Sequence, residues 1–203
     1  MALKLERVSP SSGAYPENTV FKSDIVAGEH VPVIQLYPST GNKSPITIDE
    51  AHARIHSGDS YHISLVQSVA SLATMDILYI VPDSNKLPHL TIGYESQGEI
   101  QYDVYRSPTV TNNGTQLDIF NRDENSPNTS GIVAYHSPTV SVSGAVRIFQ
   151  WQAGAGKTTA TTERGTIERI QRRNTTYLFR IINLSNQTNV CSMRLDWYEQ
   201  EYL

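Results

Sequence analysis

The chain has 203 residues, of which 38% are hydrophobic and 18% charged, with a net charge of −4. That balance leaves no broad basic field for nucleic acid, and no stretch approaches the length needed to span a membrane. Cys191 is the only cysteine, which excludes an intrachain disulfide. Ser, Thr, Asn and Gln fill the space left by the charges, as in strand-and-loop proteins with uncharged polar surfaces.

Residues 1 to 45 read as an extended arm. Pro10, Pro16, Pro32, Pro38 and Pro45 punctuate it, and its one apolar patch holds Val31, Val33, Ile34, Leu36 and Tyr37. Such an arm has little core of its own, so that patch is a candidate contact with a neighbour. Residues 46 to 203 are expected to form one domain.

The domain opens with the only expected helix, from Asp49 to His56. Thr47 and Glu50 have capping-box spacing, and Gly58 is the expected stop. His52 and His56 stand four apart on one face, which is metal-ligand spacing. A His-Glu-x-x-His zinc site would need Glu at 53, where Ala53 stands. These imidazoles read better as hydrogen-bonding groups at a loop or subunit boundary. No cofactor is expected.

Gly58-Asp59-Ser60 matches the nucleophile block of one esterase family, but that chemistry needs a histidine base near the C-terminus. The last histidine is His136, so the triplet reads as a helix stop entering a strand. A hydrolase or metal site built on His52, Asp59, Ser60 and His62 is the least favoured reading.

Strands follow. "SYHISLVQS" and "DILYIV" are short apolar runs, the second apolar on both faces as in a central strand. "HLTIGYES" and "GEIQYDVYR" alternate, with Leu90, Ile92 and Tyr94 on one face of the first. Ile100, Tyr102 and Val104 share a face of the second. Gln97-Gly98 between them is a hairpin signal. "TQLDIFN", "AVRIFQW", "TTYLFRIIN" and "VCSMRLDWY" complete the set. In the last, Cys191, Met193, Leu195 and Trp197 point one way.

"YRSPTV" (105–110) and "YHSPTV" (135–140) match at five of six positions, as two equivalent corners would. "QAGAGKTTATTERG" (152–165) suggests a phosphate-binding loop. However, Trp151 stands where the first glycine belongs, and a β-branched run follows instead of a helix. The run reads as a loop between strands. Arg169, Arg172 and Arg173 read as a solvated strand edge or a partner contact. At least eight strands and one short helix predict an all-β, antiparallel, jelly-roll-like β-sandwich with an extended N-terminal arm.

Several stretches together resemble a family of small tailed-phage virion proteins. They are "EAHARIHSGDSY", "NGTQLDIFNRDENSPNTSGIVAYHSPTV", "NTTYLFRIINLSNQ" and "LDWYE", spanning about residue 50 to the C-terminus. The resemblance implies a non-enzymatic capsid decoration or cement protein, an oligomeric β-sandwich bound outside the assembled head. Its partners would then be the major capsid protein and copies of itself, and its location the virion after synthesis in a host cytoplasm. The alternative is a tail-associated or host-surface module that binds a glycan.

Overall fold

The structure is a computed structural model. It describes residues 34–35, 46–47, 50–153 and 168–201. The chain divides into two compact units, Met1–Ala53 and Arg54–Leu203. In the first, β1 (Ile34–Gln35) pairs antiparallel with β2 (Ile46–Thr47), Ile34 opposite Thr47. Val31, Val33, Leu36 and Tyr37 lie outside the described residues, and of the apolar patch only Ile34 is placed.

Helix α1 runs from Glu50 to His56. It ends as the sequence predicts. Gly58 takes φ of 73°, its N–H donates to the Ile55 carbonyl, and the Asp59 N–H reaches back to the Arg54 carbonyl. Those two bonds with a left-handed glycine make a Schellman stop, satisfying carbonyls the helix would otherwise leave open.

The second unit is an antiparallel sandwich built from β3 (Ser60–Val69), β4 (Thr74–Val81), β5 (Lys86–Ser96), β6 (Ile100–Arg106), β7 (Thr109–Asn112), β8 (Thr115–Gln116), β9 (Phe120–Asn121), β10 (Val133–His136), β11 (Thr139–Ser141), β12 (Val146–Ala153), β13 (Arg169–Ile170), β14 (Thr175–Asn183) and β15 (Asn189–Glu201). One sheet has the order β12-β6-β14-β4-β10-β8, the other β13-β5-β15-β3-β9. The eight strands β3, β4, β5, β6, β12, β13, β14 and β15 therefore interleave as β3-β15-β5-β13 and β4-β14-β6-β12. That order makes it a jelly roll, in which the chain changes sheet at nearly every corner.

Period-two burial builds the core. Tyr61, Ile63 and Val69 on β3, Leu90, Ile92 and Tyr94 on β5, and Cys191, Met193, Leu195 and Trp197 on β15 face inward from one sheet. Met75, Ile77, Tyr79 and Val81, then Ile100, Tyr102 and Val104, then Tyr177, Phe179 and Ile181 meet them from the other. Cys191 is fully buried, as expected of a small core residue, and burial pushes its thiol pKa up.

One expectation fails. Gln97-Gly98 does not close a hairpin, because β5 and β6 belong to different sheets. The corner is shaped by what packs on it: a Cβ at Gly98 would collide with the Asn189 carboxamide. Asn189 donates to Asn183 Oδ1 at 3.0 Å, and Asn183, itself fully buried, donates to the carbonyls of Val69 at 2.9 Å and Gln187 at 2.7 Å. Three corners at one end are thus tied through two side chains.

Residues 107–145 form an insertion between β6 and β12. "TQLDIFN" breaks within it: β8 adds to β10 at the edge of the six-stranded sheet, and β9 adds to β3 in the other. The insertion thereby covers the open edges of both β3 and β4, removing two templates for stray pairing. Glu199, 6% exposed, holds the middle of the insertion. It accepts bonds from the Ser130 hydroxyl, the Gly131 N–H at 3.1 Å and the Trp197 indole at 3.3 Å. The two Ser-Pro corners are equivalent, since Ser107 and Ser137 both take the left-handed backbone (φ 56° and 53°) and lead into β7 and β11.

Candidate interaction surface

The two sandwich faces differ. On the outside of the six-stranded sheet, Arg180 makes a two-pronged pair with Asp76 at 2.8 and 2.7 Å, which raises the guanidinium pKa. Beside it Asp103, fully buried, accepts from Gln101 Nε2 at 2.8 Å and Tyr105 Oη at 3.0 Å, with Arg147 3.9 Å away. Leu78 and Leu178 are register partners on this same outer side and are fully buried.

The outer side of the five-stranded sheet is open. Its rows follow from the register. Ser192 lies between Val66 and Glu95, Arg194 between Ser64 and Gly93, Asp196 between His62 and Thr91, and Tyr198 between Ser60 and His89. Four of the six exposed large hydrophobics among the described residues stand on this face: Val66 (66%), Val190 (41%), Phe120 (57%) and Ile170 (58%). Two histidine–aromatic pairs flank the aromatic end. His62 packs on Phe120 with centroids 5.8 Å apart, and His89 stacks on Tyr198 at 4.6 Å. Burial and the nearby Arg194 charge lower the His62 pKa.

At the centre Arg194 Nη2 donates to Asp196 Oδ1 at 2.7 Å. Three of the four register neighbours of this pair, Ser64, Gly93 and Thr91, are small, and the fourth is His62. With strands about 4.8 Å apart and a rise of about 3.3 Å per residue, the face covers on the order of 700 Å². One partner's share of a standard protein interface is about 800 Å².

A second surface is the ribbon of β7 and β11, which joins neither large sheet. Val110 opposes Val140, the Thr111 hydroxyl donates to the Thr139 carbonyl at 3.1 Å, and a bulge lies at Thr139–Val140. Neither strand carries a charged residue.

His52 and His56 are exposed on α1, and no group of three or more metal-ligating side chains occurs among the described residues. Ser60 is buried with its hydroxyl toward the Trp197 carbonyl at 3.4 Å, while Asp59 pairs with Lys86 at 3.3 Å. Ser60 and Asp59 are thus held by structural partners. Arg169 sits on the edge strand β13 with its guanidinium 5.2 Å over the Phe149 ring, and Arg173 meets Asp83 at 3.7 Å. The run 154–167 lies outside the described residues. Sequence reading did not find the face residues Val66, Val190, Phe120 and Ile170. Their only signal was apolar side chains at outward positions of alternating strands.

No protein-family model, no curated protein and no solved structure matches the chain.

Proposed function

We propose that this chain is a structural component of a tailed-phage particle, a capsid decoration or cement protein that binds the outside of the assembled head. The observation that carries this reading is the open, interface-sized, mostly uncharged face on a jelly roll, together with a second surface on the uncharged β7–β11 ribbon. Two such surfaces suit a cementing subunit that meets both its own copies and the shell. The resemblance of residues 50 onward to small virion proteins supports the same role. In this reading the work is adhesion, without bond-making: a ligand that binds only the assembled lattice stabilises it by mass action, and many bridging copies add avidity.

The test is co-sedimentation of the purified protein with purified heads, followed by heating. Saturable binding and a raised temperature of DNA release are expected. Heads that neither bind the protein nor gain heat resistance overturn the reading.

A second reading keeps the sandwich and changes the ligand. Phe120, more than half exposed beside His62, is a ring platform of the kind a sugar stacks on. If the chain is a glycan-binding module, it binds host cells and not heads, and Phe120→Ala abolishes that binding.

A further inference from the structure

We infer that the open face of the five-stranded sheet is the contact between two copies of this chain, related by a two-fold axis that crosses the strands at Leu195. The inference rests on the reading of this face as an interface and names its occupant.

Face-to-face sheets pack with strands aligned to within about 30°. Closed two-subunit assemblies are two-fold symmetric, so each contact occurs twice. Two in-plane axes lay this sheet on a copy of itself strand upon strand. An axis along β15 sets each Arg194 over its own copy and each Asp196 over its own copy, which repels. An axis across β15 at Leu195 exchanges residues 194 and 196. Each Arg194 then faces the partner's Asp196, and the pair now closed within one chain is shared reciprocally by two.

The same axis fixes the other rows. Turning about Leu195 exchanges the Ser192 row with the Tyr198 row. On β5 that sets Glu95 opposite His89, since Glu95 is the register partner of Ser192 and His89 that of Tyr198; His89 Nδ1 already lies 2.9 Å from Glu168 Oε1, so Glu95 meets an imidazole that is paired within its own chain. The turn also brings the Val66 row of each copy level with the Ile170 row of the other, sets Val66 opposite Ser60 and Val190 opposite Gln200, and brings the Phe120 row level with the Arg194 row. Val66, Val190, Ile170 and Phe120 are all exposed in the single chain. The small residues Ser64, Gly93 and Thr91 let the central rows approach. The estimated area per copy is that of a standard interface. The shell contact then falls to other surfaces, among them the ribbon.

The test uses complementary charge reversal and measures mass in solution by light scattering at micromolar concentration. The wild-type chain is expected to be a dimer. Arg194→Asp places like charges opposite one another in its own homodimer, and so does Asp196→Arg. Each is expected to weaken association by about tenfold or more. An equimolar mixture of the two variants restores both reciprocal pairs and is expected to return the dimer. Loss of the pair within one chain predicts no such recovery. A monomeric wild type, a dimer indifferent to both variants, or a mixture that stays monomeric overturns the inference. If either variant fails to fold by circular dichroism, Val66→Arg at an exposed position takes its place, and a persisting dimer then overturns it. Head binding is scored separately: a monomer that still binds heads removes the inference and leaves the proposed function standing. A dimer that binds no heads does the reverse.

Discussion

The ring of Tyr94 lies flat on the ring of Tyr102, centroids 4.6 Å apart and 12° from parallel. The two residues sit on successive strands, β5 and β6, that belong to different sheets, so this stack joins the halves of the sandwich. The Tyr102 hydroxyl has no hydrogen-bond partner although the ring is fully buried, and burial raises its pKa well above the usual phenol value. Removing an unsatisfied buried polar group relieves a penalty of roughly 1–3 kcal/mol. Tyr102→Phe is therefore expected to keep or raise stability in urea unfolding, whereas Tyr94→Ala, which empties the other half of the stack, is expected to cost about 3 kcal/mol or more.

The Ser-Pro corners offer a stabilising change. A left-handed backbone costs a residue with a side chain about 1 kcal/mol or more relative to glycine. Ser107→Gly and Ser137→Gly are each expected to raise stability, by about 0.5 kcal/mol after the larger unfolded-state entropy of glycine is subtracted. Thermal unfolding of the two variants checks this. A fall in melting temperature at both positions would contradict the corner geometry.

Glu199 anchors the insertion to β15. Glu199→Ala leaves the Gly131 N–H and the Trp197 indole without their acceptor and is expected to cost about 2–3 kcal/mol. Proteolysis near Ser130 and Gly131 should accelerate more than global unfolding does, because this side chain fastens those two residues, whereas Arg122 and Asn128 keep their own bonds to Ser60 and Ser57.

Two pH limits follow from the ionisable groups. His62 has a lowered pKa in the folded chain, so the unfolded chain binds the extra proton first. Its contribution is intact above the unfolded value near 6.5 and is lost as pH falls through the depressed folded value. His62→Gln should flatten the dependence of melting temperature on pH below neutrality. At the alkaline end, burial and then the Glu199 charge push Tyr61 up to about 12, and burial raises Tyr79 and Tyr102 well above the usual phenol value. Stability from these phenols is complete below pH about 10 and is lost as pH rises through the folded values. Phenolate absorbance of the three should appear only together with loss of the fold.

The strands themselves were legible because burial alternates strictly: Cys191, Met193, Leu195 and Trp197 face the core as spaced. Partners were not legible. Tyr94 and Tyr102 show the right faces at the right period on either side of Gln97-Gly98, and the same pattern fits a hairpin or a crossover. Only the long-range register, such as Leu195 opposite both Ile63 and Ile92, separates them. β7, β11 and β13 have two to four residues each, too few for a period to register, and β10 is no longer. The open face escaped sequence reading for a different reason. A face is assembled from β3, β5, β9, β13 and β15, and no strand alone contributes more than one exposed large apolar side chain to it.

The position of β15 has a consequence for biosynthesis. It runs between β3 and β5, so residues 189–201 supply the middle of a sheet whose flanking strands leave the ribosome far earlier. Until they emerge, β3 and β5 expose ladder edges on either side of a vacant lane. Closure across so many intervening residues is slow by topology. A chain truncated before Asn189 should stall as an aggregation-prone half-product, and a chaperone acting during translation should matter more here than for a helical protein of equal length.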